Sequence, residues 1–193
     1  MSSLVLLVSS GLAGAFTPTR SPNRVSARDA MQTRRSAFDS DGPLAGVATS
    51  LRIFSDNVQK GTDLKQAMAD ALAGEMSDAE EVEMLENALG LSKSAGCVMF
   101  TWEKSPACVN ARKALDRMGC KYEEKDLDPT GPEGNKMRAV LGRHLGKSSV
   151  PMVFIGGEYV GGYSDGPNEE APGLVPLSFD GKLRPMLEEA GAL

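Results

Sequence analysis

The hydrophobic rhythm of the chain changes at residue 97. Cys97 to Phe100 form an apolar run of strand length, residues 101–105 are mostly polar, and apolar positions then return at Cys108, Ala111, Leu115 and Met118. Intervals of three and four put these four on one helical face, so the pattern predicts a strand leading into a helix with Cys108 turned inward. Ser105 and Pro106 mark its start. Serine is a preferred N-cap, and proline suits the first helical position because its φ is already helical and its missing N–H has no partner to lose. Gly119 stands where a left-handed residue closes a helix.

Further on, Lys121 to Asp128 reads as a second strand, so heavily charged (E-E-K-D) that a sheet edge suits it best. Residues 129–134 form a turn, and 135–145 a helix with Met137, Val140 and Leu141 inward and Lys136, Arg138 and Arg143 outward. Ser148 to Pro151 lead into the apolar strand Met152 to Ile155. Gly156-Gly157 signals a two-residue hairpin into Glu158 to Val160. An irregular segment, 165–176, precedes a last helix over 182–190. The order βαβαββα predicts an α/β domain over residues 96–193, a four-stranded mixed sheet with a thioredoxin-like fold.

Residues 39–95 read as an acidic helical extension. Leu44, Val47, Leu51, Phe54 and Val58 make one apolar stripe. Thr62 caps a second helix bearing Leu64, Ala67, Met68, Ala71 and Leu72, and Ser77 with Glu80 forms a capping box for a third, bearing Val82, Leu85 and Leu89. Helices this short are marginal alone, so the three greasy faces must bury themselves within the chain or dock on a partner. Residues 91–96 are a candidate hinge.

Charge adds a boundary. The net charge is −5, yet residues 1–38 hold five arginines against one aspartate, so the rest of the chain carries −9. An acidic body without basic runs interleaved with aromatics argues against nucleic-acid binding. Residues 1–15 have a short apolar core and end in Ala13-Gly14-Ala15, a signal-peptidase pattern, and the run is far below the ~20 residues that span a bilayer. Residues 16–38, headed by Phe16 and rich in Ser, Thr and Arg, have transit-peptide composition. This two-part presequence resembles those of algae with plastids of secondary origin and predicts a plastid protein. Secretion with a disordered tail is the alternative, and it predicts oxidised cysteines.

The three cysteines give neither a zinc spacing nor an obvious disulfide framework. Cys97 and Cys120 read as small buried hydrophobes, and the single His144 as a solvated helix residue, so no metal site is expected.

Phe100 to Cys108, F-T-W-E-K-S-P-A-C, resembles the active-site loop of the glutaredoxin family, whose signature is Phe, four residues, then C-P-x-C. The resemblance continues in Ser149-Val150-Pro151, in V-F-I-G-G-E-Y-V-G-G and in Tyr163-Ser164-Asp165. It covers residues 96–193 and is closest in style to algal plastid members. It implies thiol–disulfide exchange with glutathione, in which a helix N-terminus favours the attacking thiolate. Ser105, however, stands where the family has that cysteine. A hydroxyl forms no disulfide, and the substitution also removes the ligand that cluster-binding members give to iron, so no iron–sulfur cluster is expected. Cys108 either takes over as a reactive thiol or is structural, burial opposing the helix dipole.

The resemblance also implies a glutathione groove. Val150, before a cis-Pro151, lends its backbone to the cysteinyl part; Ser164 and Asp165 hold the γ-glutamyl end; Arg138 takes the glycine carboxylate. Trp102 stands where many members have Lys, and either shields the groove or anchors a partner. The reading is a degenerate plastid glutaredoxin-like protein, glutathione-binding but weakened, with weak or no oxidoreductase activity. The alternative is a non-catalytic adaptor docked on a plastid, photosynthetic complex through helices 43–90.

Overall fold

The computed structural model describes residues 45–128 and 130–193; the presequence assigned to 1–38 lies outside the described residues. Three helices come first: α1 (Ala45–Gln59), α2 (Leu64–Ala73) and α3 (Asp78–Leu91). Then follow β1 (Cys97–Thr101), α4 (Pro106–Met118), β2 (Glu123–Asp126), α5 (Pro132–Leu145), β3 (Met152–Ile155), β4 (Glu158–Gly161), α6 (Leu174–Phe179) and α7 (Leu183–Glu189). The strands form one sheet in the order β2-β1-β3-β4. β1 pairs parallel with β2 and antiparallel with β3, which makes the sheet mixed. This is the expected thioredoxin-like fold, with the charged β2 at an edge.

The strand alternation sorts the core into two layers. Cys97 and Met99 face α4, α6 and α7, in a cluster with Ala111, Leu115, Leu177, Leu183 and Leu187. Val98 and Phe100 face α5 and α3, in a cluster with Leu141, Met152, Phe154 and Ala88. Because both faces are covered, β1 and β3 are buried along their whole length, and this is why their sequences read as apolar runs rather than as alternations. Gly156 and Gly157 take positive φ values of 60° and 84° and close the predicted hairpin.

The segment expected to be irregular ends in α6, a short helix with Pro176 in its first turn, where the missing N–H breaks no bond.

The helical extension packs in a way the sequence pattern did not suggest. α2 lies on α5, and its buried residues are Gln66, Ala67, Ala69, Asp70, Ala71 and Ala73. Leu64, Met68 and Leu72, expected inside, are half exposed, as are Val47, Leu51 and Val58 of α1 and Val82 of α3. Charge is the reason. Lys136 and Arg143 of α5, expected to face water, point at the extension instead, and Asp70 of α2 and Glu80 and Glu81 of α3 turn toward them.

Arg143 is bonded to Asp70 (2.5 Å) and to Glu81 (2.9 Å), and Lys136 to Glu80 (2.5 Å). Gln66 Nε2 donates to the Ala139 carbonyl (3.0 Å) and to Asp70 (2.8 Å), and Asn57 Nδ2 to Asp70 (2.7 Å). The small alanines let α2 approach α5 closely, with Ala69 and Ala73 against Ala139. Charge-assisted bonds of this kind are the stronger ones where partly buried.

Two caps also differ from expectation. Asp63, not Thr62, caps α2, its carboxylate accepting from the N–H groups of Lys65 and Gln66. Ser77 does accept from Glu80 N–H, but the Glu80 carboxylate goes to Lys136.

Residues 91–96 are pinned. Ser92 is fully buried, Ser94 Oγ donates to Glu123 (2.8 Å), and a Cβ on Gly96 would stand 2.2 Å from the Ala190 carbonyl oxygen. The described residues all belong to one compact unit.

Candidate functional site

The sheet register brings the family-like motifs to one end. β1 finishes at Thr101 beside the start of β3, because Phe100 pairs with Met152, and β4 finishes at the same end, because Val153 pairs with Gly161. The residues just past these ends are Trp102 to Ser105, Pro151, and Gly162 to Asp165. The turn after β4 meets the start of β3 directly: a Cβ on Gly162 would lie 3.3 Å from the Pro151 carbonyl oxygen and 3.0 Å from that of Asp165. The Val150–Pro151 peptide is cis, as expected. Gly162 N–H donates to the Asp165 carbonyl (2.8 Å), which closes the turn that carries Ser164.

Ser105 is the N-cap of α4 with extended backbone (φ −67°, ψ 123°), and Pro106 opens the helix. The hydroxyl makes no capping hydrogen bond, so the cap expected of Ser105 exists in its backbone position alone. Its N–H turns back to the Trp102 carbonyl (3.2 Å). Cys108, one turn into the helix, is fully buried with Ala111 and Leu115, on the predicted inward face.

The loop before α4 is clamped from behind. Arg112 donates to the Glu103 carbonyl (3.1 Å) and through Nε to both Glu124 oxygens (2.8 and 3.0 Å), and Thr101 Oγ1 donates to Glu124 (2.5 Å). These bonds hold the Glu124 carboxyl below the usual carboxylate range, Arg112 being the larger cause and Thr101 a lesser one.

Arg138 departs most from its expected place. Expected outward as a cation for a bound carboxylate, it is 7% exposed. Its Nε donates to the Ser148 carbonyl (2.8 Å), and its guanidinium carbon stands 4.5 Å from the centroid of the Trp102 ring. Burial pulls its pKa down. Among the described residues the Trp102 indole N–H has no partner. Asp165, expected to hold the γ-glutamyl end of glutathione, is ion-paired with Lys147. Lys147 had no sequence signal beyond its charge, because the pairing depends on the loop before Pro151 folding against the turn after β4.

An open pocket of about 400 Å³ adjoins Ser105, lined by Trp102, Glu103, Lys104, Ser105, Asp126, Asp128 and Thr130. Asp126 and Asp128, past the sequence motifs, bring acid to this mouth. Thr130 hydroxyl and N–H groups bond Asp128 (2.6 and 2.9 Å) and keep its carboxyl low. Val150, Pro151, Ser164 and Asp165 do not line this pocket.

Cys97 and Cys120 are buried, as expected of small hydrophobes, and share one apolar cluster at the other end of β1 and α4. Among the described residues, no group of three or more His, Cys, Asp or Glu is placed to hold a metal ion, and no helix is long and apolar enough to cross a membrane.

A mixed four-stranded sheet with a cis-proline leading into β3, at the sheet end where β1 gives way to the loop before α4, defines a protein of the thioredoxin-like class. Comparison narrows this. The glutaredoxin family model matches residues 97–160. Glutaredoxin-C2 of Arabidopsis thaliana is 34% identical over 109 residues, 56% of this chain and 90% of that protein. The chloroplastic glutaredoxin-C4 of Oryza sativa subsp. japonica is 27% identical over 134 residues, 66% of this chain and 94% of that protein. The crystal structure of the buckwheat glutaredoxin–glutathione complex superposes with a TM-score of 0.54 at 30% identity, over 61% of this chain and 99% of that one. The chain belongs to the glutaredoxin family.

Proposed function

We propose that this is a degenerate plastid glutaredoxin, with a weakened glutathione groove and weak or no thiol–disulfide oxidoreductase activity. The observation that carries this reading is the pairing of a Ser105 hydroxyl at the mouth of α4 with a Cys108 that is 0% exposed. The hydroxyl has no sulfur to exchange, and the sulfur has no access.

Two further features support a weakened groove. Arg138 is stacked on Trp102, and Asp165 is ion-paired with Lys147. The backbone features expected to hold glutathione, at Val150 and at the Ser164–Asp165 turn, are retained. The chloroplastic rice relative favours plastid targeting, with cleavable segments over 1–15 and 16–38 and a glutaredoxin domain over 96–193. The test is a glutathione-coupled disulfide-reduction assay on the mature protein. Turnover is expected to be weak or absent, and turnover as brisk as that of a cysteine-bearing relative overturns the reading.

A second reading is supported by the half-exposed Val47, Leu51, Met68 and Leu72, which line an open apolar groove between α1 and α2. A contiguous apolar surface of this kind suits an adaptor docked on a plastid protein complex. Co-migration with a large complex on native gels of plastid extract, lost on Leu51→Glu, supports it.

A further inference from the structure

One side chain of the helical extension reaches the loop that carries the cis-proline. Gln66 of α2 is 8% exposed, and Ser148, three residues before Pro151, is 2% exposed. They meet at Gly142 of α5. A Cβ there would stand 2.2 Å from Gln66 Oε1, 2.5 Å from Ser148 Cβ and 2.9 Å from Ser148 Cα. The space that glycine leaves open is therefore bordered by both residues, and any side chain at 142 would displace one of them.

The Gln66 amide is fixed through its nitrogen. Nε2 donates to the Ala139 carbonyl (3.0 Å) and to Asp70 (2.8 Å), which leaves Oε1 turned to Gly142 and Ser148. Among the described residues neither Gln66 Oε1 nor the Ser148 hydroxyl has a hydrogen-bond partner. The first is an acceptor and the second a donor, and a buried polar atom left unpaired is costly. The Ser148 carbonyl, by contrast, is taken by Arg138 Nε (2.8 Å), and the Arg138 guanidinium carbon stands 4.5 Å from the centroid of the Trp102 ring.

We propose that Gln66 is a positioning residue for the loop over 147–151: its Oε1 accepts from the Ser148 hydroxyl across Gly142 and fixes the backbone that leads to Val150 and Pro151. Ser148 is then held on two sides, its side chain by the extension and its carbonyl by Arg138. Losing the first bond lets Ser148 shift, and the shift passes through Arg138 to Trp102. The extension is thereby part of the frame of the groove.

This inference deepens the proposed function and rests on it at one point, that Val150 lends its backbone to glutathione. The link from Gln66 to Trp102 needs no glutathione.

The test uses the full chain with Gln66→Met, Ser148→Ala and the double variant, each checked for a native circular dichroism spectrum. Methionine fills the space of the glutamine but offers Ser148 no oxygen acceptor. Trp102 is the only tryptophan, so acrylamide quenching of its fluorescence reads the far end of the relay. Both single variants should raise the quenching constant, and the double variant should match Gln66→Met, because the two substitutions remove the same bond. Calorimetric titration should show glutathione binding weakened about threefold or more in each single variant, and no further in the double. Wild-type quenching in Gln66→Met, or effects that add in the double variant, overturn the proposal. Should Gln66→Met not fold, Ser148→Ala decides: raised quenching supports the proposal and unchanged quenching overturns it. A wild-type chain that binds no glutathione overturns the glutathione reading, and the quenching series then decides on Gln66 by itself.

Discussion

The guanidinium of Arg138 stands 4.5 Å from the centroid of the Trp102 ring, with its Nε bonded to the Ser148 carbonyl. The cation that the family resemblance assigns to a bound carboxylate is thereby satisfied within the chain, and Trp102 is its lid. A desolvated contact of this kind is worth up to about 2 kcal/mol. Trp102→Lys should free Arg138, supply a second cation and tighten glutathione binding by up to about tenfold. Calorimetric titration checks this; unchanged affinity would mean that the lid does not cover the groove.

Ser105→Cys should restore glutathione-dependent turnover, because the scaffold still offers a helix N-terminus to a thiolate. The same variant should be nearly neutral in stability. A capping hydroxyl is typically worth about 1 kcal/mol, but Ser105 makes no capping bond, so a change within about 0.5 kcal/mol is expected. Assay and urea midpoint test the two halves separately.

In α2 the alanines are inside and the large apolar residues outside. Met68→Ala and Leu72→Ala should therefore shift stability by no more than about 0.5 kcal/mol. Ala69→Leu, which pushes a larger side chain against Ala139, should cost about 1–3 kcal/mol. Denaturant midpoints decide, and the reverse ranking would place the stripe of α2 in the core.

Acid should loosen the clamp behind the site. Hydrogen bonds from Arg112 and Thr101 depress the Glu124 pKa in the folded chain, so the native state binds this proton less readily than the unfolded chain does. The stability from this group is fully present above the unfolded glutamate pKa of about 4.3 and is lost as pH falls through the lower folded value. In Arg112→Gln the loss on going from neutral pH to about pH 4 should shrink, and the neutral-pH cost should stay under about 1 kcal/mol, as for other half-exposed pairs. Midpoints at the two pH values measure both.

Much of the domain was legible because local pattern and global fold agree there. Ser105-Pro106 and Gly119 bracket α4, Gly156-Gly157 turns the hairpin, and the charges of Glu123 to Asp126 fit the edge position that β2 takes. The candidate site was legible only as a set of positions. Whether Arg138 points outward depends on what packs over α5, and periodicity along α5 is silent about that. The extension misled for a related reason. A hydrophobic stripe normally marks the buried face, but a basic partner helix lets Asp70, Glu80 and Glu81 turn inward, and the greasy side is left at the surface.

By itself, then, the order of residues determined the strand and helix sequence, the fold, the family and the oxygen at position 105, all of which depend on neighbours within a few positions or on motif order. Only the tertiary structure decided that Trp102 covers Arg138, that Lys147 neutralises Asp165 and that α2 packs by its alanines. Each of these joins residues from different elements, and contact between elements follows from packing and charge pairing across the whole molecule.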